Sequence, residues 1–95
     1  GEFSTLMHSM EEQIADKKYT DAMDTARNVY AHLLTQLYPK QDILNGNEAL
    51  KIFALDIKFR RFLRFKRLLD SAPDPQNLLF IHHFLCDLYL SLKEL

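Results

Sequence analysis

The sequence predicts an all-α fold, a small antiparallel bundle of about four helices, and three observations predict it. Apolar residues recur at three- and four-residue spacings in four separate stretches, the period of an amphipathic helix rather than of a strand. Only two glycines and three prolines occur in 95 residues, too few for a turn-rich β fold. Hydrophobic residues make up 47% of the chain, with seven Phe and four Tyr, which supplies a core and excludes a disordered composition. A chain of this length holds one domain.

Gly1–Thr5 (GEFST) reads like translated cloning-site sequence, so residues 1–5 are set aside as a tail. Residues 6–95 are taken as a single helical domain whose native start is Met7 or Met10. The first helix is expected from about Thr5 to Lys17, with Leu6, Met7, Met10 and Ile14 on one face and Glu11, Glu12 and Asp16 opposite. The second starts near Thr20 as N-cap, with Asp21 in the first turn where negative charge suits the helix dipole. Its apolar face carries Met23, Ala26, Val29, Tyr30, Leu33 and Leu37, and Pro39 stops it. The loop Tyr38–Gly46 is expected to plug the core with Ile43 and Leu44, and Asn45-Gly46-Asn47 forms a turn with Asn47 as N-cap. One long helix then runs from Glu48 to Asp70, and Ser71-Ala72-Pro73 ends it. Asp74 caps the last helix, with Pro75 at the first helical position, where no amide hydrogen is needed. Short connections favour antiparallel neighbours.

The single cysteine, Cys86, excludes an internal disulfide and any zinc site built on several thiolates. No apolar run follows a basic start in the first twenty residues, and no stretch of 18 uncharged apolar residues exists. The expectation is an intracellular protein, cytoplasmic or nuclear, without a transmembrane segment. Net charge is −1, but residues 1–50 carry four Lys/Arg against eight Asp/Glu, whereas residues 51–95 carry eight against five. Bulk charge therefore does not make this a polyanion binder, and any such role sits in the second half.

The run Lys58–Arg67 (KFRRFLRFKR) is the most distinctive feature. At 100° per residue, Arg60, Arg61, Arg64 and Arg67 share one stripe, and Leu55, Phe59, Phe62, Leu63 and Leu69 share the other side. Such a stripe suits phosphates, through charge-assisted hydrogen bonds and released counterions, and equally an acidic partner helix or an anionic membrane surface. The plainer expectation is a solvated face, part of it paired with Glu11, Glu12, Asp16, Asp21 and Asp24. Aromatics and arginines on opposite faces do not make a base-stacking platform. In the last helix, Leu78, Ile81, Phe84, Leu85, Leu88, Leu92 and Leu95 form the core face, while Leu79, Cys86 and Leu90 form a second apolar stripe. A four-helix domain rarely covers both, so the second stripe is expected at an interface with a partner or another copy.

The stretch Lys18–Leu34, with Tyr19, Ala22 and Ala26 in a YxxAxxxA pattern, resembles the turn and second helix of a tetratricopeptide repeat or of a microtubule-interacting-and-transport domain. That resemblance implies close packing of two helices across small residues. No second copy appears at a 34-residue period, and the repeat's usual Trp and Gly have no match in MEEQIADKK. Arg27-Asn28-Val29-Tyr30-Ala31-His32 is similar to the R-N-xxx-H motif of the HEPN ribonucleases, which implies an Arg and a His acting on RNA phosphate. In that family the motif lies late in the domain; here it falls in the first third.

His82 with Cys86, and His83 with Asp87, are metal-competent pairs, but a zinc site needs three or four protein ligands, so neither is read as one. The simpler reading is a His83–Asp87 hydrogen bond and a packing role for Cys86. No glycine-rich phosphate loop or nucleophile–base arrangement stands out. The expectation is a non-enzymatic helical interaction module without cofactor or metal. Leu79, Cys86 and Leu90 would give it buried contact with a protein partner, another copy included, and Arg60, Arg61, Arg64 and Arg67 would orient that partner. Nucleic-acid binding by the basic helix is the alternative, and a HEPN-like ribonuclease the remote one.

Overall fold

A computed structural model describes residues 1–37 and 46–95. The fold is a small all-α bundle, with five helical segments among the described residues: α1 Glu2–Ala15, α2 Tyr19–Leu37, α3 Gly46–Arg60, α4 Phe62–Asp70 and α5 Pro75–Lys93. No helix among them is long and apolar enough to cross a membrane. The expectations placed on Pro39, Ile43, Leu44 and Asn45 lie outside the described residues.

α1 begins at Glu2, three residues before the expected start, and Phe3 packs against the core. It ends in a complete Schellman motif. The Lys18 amide donates to the Gln13 carbonyl at 2.8 Å and the Lys17 amide to Ile14 at 3.1 Å, which satisfies carbonyls the helix end leaves open. Lys17 takes the left-handed conformation this requires, at φ 60°. α2 starts at Tyr19, so Thr20 and Asp21 lie in its first turn, and Thr20 is not the cap. Along the α1–α2 hairpin, Ala22, Ala26 and Val29 are fully buried, as are Met10 and Met23. The small alanines let the two helices approach closely, as the repeat-like pattern implied.

α3 starts at Gly46, which puts Asn47 inside the helix instead of at its cap. The expected single helix over 48–70 is interrupted at Arg61, whose amide donates to Lys58 three residues back at 3.1 Å. This one tightened turn has neither Gly nor Pro to cause it. It coincides with aromatic packing around the joint: Phe59 stacks on Phe62 with centroids 5.5 Å apart and meets Tyr30 edge-on at 3.9 Å. The Tyr30 hydroxyl also donates to Asp56, tying α2 to α3. Asp74 caps α5 as expected: its carboxylate accepts from the Asn77 amide at 2.9 Å, with Pro75 opening the helix.

α5 is the axis of the fold, touching all four other helices. Ile81, Leu85, Leu88 and Leu92 on its inner face are wholly buried. The α1–α2 hairpin packs along one side, and α3 and α4 along the other. The molecule measures 45 × 26 × 16 Å.

Candidate interaction surface

Helical spacing gives α3 two apolar stripes. Leu55 and Phe59 turn inward, while Leu50, Phe53, Ala54 and Ile57 share the opposite side with Arg61. Leu50 is 66% exposed and Phe53 57%. In α4, Phe62 is buried and Phe65, Leu68 and Leu69 pack against the core. Leu63 was expected on that inner side. It is exposed instead, because one residue past Phe62 is a turn of about 100° away from the core.

Between α3–α4 and α5 lies an open groove of about 740 Å³. Its floor is a stacked pair, Phe65 on Phe84, with centroids 4.3 Å apart and planes 8° from parallel. Ile57 and Leu68 extend the apolar lining, and Phe80, half exposed, lines it from α5. Arg61 and Arg64 line the α4 side and His83 and Asp87 the α5 side. Lys58 spans the helices, lying 3.4 Å from the Asp87 carboxylate and donating to the Ser91 hydroxyl. Asp87 thus pairs with Lys58; no His83–Asp87 hydrogen bond is present among the described residues.

The arginine stripe divides. Arg60, Arg61, Arg64 and Arg67 are all exposed, but only Arg61 and Arg64 line the groove, with Arg60 and Arg67 outside it. The expected pairing with the acidic first half does not occur: among the described residues none of the four forms an ion pair with Glu11, Glu12, Asp16, Asp21 or Asp24. Those acids lie on α1, α2 and the turn between them, and Glu12 pairs instead with His8 at 3.0 Å.

The second stripe of α5 divides as well. Leu79 is 53% exposed and Leu90 57%, whereas Cys86 is half buried and packs against the core. Leu79 lines a smaller groove of about 450 Å³ with Lys17, Tyr19, Pro75, Leu78 and His82. There the Tyr19 hydroxyl meets His82 Nδ1 at 2.9 Å. Burial, with a further contribution from Cys86, holds the Tyr19 phenol above its ordinary range, so it stays protonated and able to donate.

The ribonuclease-like residues do not converge. Arg27 lies 5.6 Å from the Phe62 ring centroid, a cation–π contact, while His32 faces Glu2 at 3.9 Å and Gln36 at 3.2 Å. Five residues apart on one helix, they point about 140° from each other. Among the described residues no group of three His, Cys, Asp or Glu side chains is placed to hold a metal.

The groove-lining Phe80 and the exposed Leu50 and Phe53 were missed by sequence reasoning. Their signal is present as a second apolar stripe on α3, and as an aromatic beside His83 and Asp87 on α5. No protein-family model, curated protein or solved structure matches the chain.

Proposed function

We propose that this chain is a small helical interaction module that binds another polypeptide along the groove between α3–α4 and α5. The observation that carries this is an apolar floor open to solvent beside Arg61 and Arg64, which have no carboxylate partner within the described residues. Aromatic and arginine side chains in a concave site are the types that dominate interface energetics, because they combine area, shape and hydrogen bonds. Leu79 and Leu90 on the outward side of α5 extend the apolar surface past the groove.

The test places a photo-reactive phenylalanine analogue at Phe80, on the groove, and at Asp24, exposed on α2, in cells that express the full chain. A discrete polypeptide adduct from position 80 and none from position 24 supports the reading. No adduct from position 80, or the same adducts from both, removes it.

A further inference from the structure

We infer that the groove takes one amphipathic helix of about four turns, carrying acidic residues along the flank that lies against α4. This rests on the interaction reading above and specifies the partner's chemistry. Helices form the groove's walls, and helices keep their backbone groups paired internally, so no row of open amides and carbonyls exists for an extended strand to join. What the walls offer is side chains: an aromatic floor and a cationic edge.

The length follows from the lining. Ala54 to Leu68 spans 15 residues across α3 and α4, 14 steps or roughly 21 Å at 1.5 Å per step, which a partner helix matches with about four turns. Apolar side chains at i, i+3 or i+4, and i+7 would seat along Ile57, the Phe65–Phe84 stack and Phe80. The sign of charge follows from the rim. Among the described residues Arg61 and Arg64 form no ion pair, and Asp87, the one carboxylate among those lining the groove, faces Lys58. A covering helix would desolvate both guanidinium groups, a cost that carboxylates facing them offset best, through charge-assisted bidentate hydrogen bonds. The chain's own acidic helix is not that occupant in a second copy, because the apolar face of α1, Met7, Met10 and Ile14, is already buried in its own core.

The experiment is a selection of 16-residue peptides from a random displayed library on the full chain, run in parallel on an Arg61→Glu/Arg64→Glu variant. Both positions are exposed, so the variant folds, which circular dichroism checks. Expected on the parent chain are peptides with the i, i+3/i+4, i+7 apolar pattern and Asp or Glu along one flank. The best of them should lose at least tenfold affinity on the double variant, and replacing its acids with Lys should restore binding there. Enrichment without acidic flanks, no enrichment, or indifference to the double variant overturns the inference. So does binding of a DNA duplex or single-stranded RNA oligonucleotide that falls steeply with salt and with the same variant, since nucleic acid would then be the ligand. Failure of the selection alongside specific adducts from position 80 would discard the acidic helix and keep the interaction module. Failure of both would discard both.

Discussion

On one side of α5 the α1–α2 hairpin buries Met7, Met10, Ile14, Ala22, Met23, Ala26 and Val29, and its turn is closed by successive backbone hydrogen bonds. On the other side α3 and α4 bury only Leu55 and Phe62, leaving Leu50, Phe53 and Leu63 in water. The same central helix serves both. The hairpin's alanines permit close approach and exclude solvent, while on the other side Phe65 of α4 stacks on Phe84 of α5 and an open groove lies over that pair. Closure on the first side makes the domain stable; the gap on the second makes a partner's contact possible.

The sharpest way to break this comparison is to weaken the shared axis. Leu85 is fully buried in the core of α5, and Leu85→Ala should cost about 3 kcal/mol, within the usual 2–5 for such truncations. A 95-residue chain has only several kcal/mol in hand, so the urea midpoint should fall by roughly 1–3 M at an m of about 1–3 kcal/mol/M. A loss below about 1 kcal/mol would mean that α5 is not the core both halves share.

That axis was legible in the sequence, because Ile81, Phe84, Leu85, Leu88 and Leu92 repeat at helical spacing and a capped proline marks the start. The inner face of α2 was legible for the same reason. The groove was not. A single helix's periodicity says which face is apolar but not how far the neighbouring helix stands from it, and that separation decides whether Phe65 and Phe80 are core or floor. The break at Arg61 was hidden too, since no Gly or Pro announces the tightened turn, which coincides with the packing of Phe59, Phe62 and Tyr30. Leu79 and Leu90 stand exposed apart from the core face, whereas Cys86, on the same stripe, lies near enough to that face to be half covered.

The two tight turns sharpen the comparison. Lys17, between α1 and α2, and Ala72, between α4 and α5, both sit at positive φ, 60° and 54°, where a Cβ is strained. Lys17→Gly and Ala72→Gly should each stabilise the domain, by roughly 0.5–1 kcal/mol after the added freedom of the unfolded chain is subtracted. Denaturation midpoints measure both. Equal gains would make the two turns alike; a gain at Lys17 alone would place the looser turn on the side of the groove.

The smallest expected effect is the most discriminating. Phe53 already lies mostly in water, so Phe53→Ser removes little buried surface and mainly exchanges one moderate helix former for another. The domain should change stability by no more than about 0.5 kcal/mol. Sedimentation of the parent and variant at several concentrations should give the same monomer mass. If the substitution instead costs more than about 1.5 kcal/mol, or lowers a mass that rises with concentration in the parent, the α3 face is covered in solution by a second copy. The contrast between a closed hairpin and an open groove would then belong to the isolated chain alone, and the groove would be one edge of an interface the chain makes with itself.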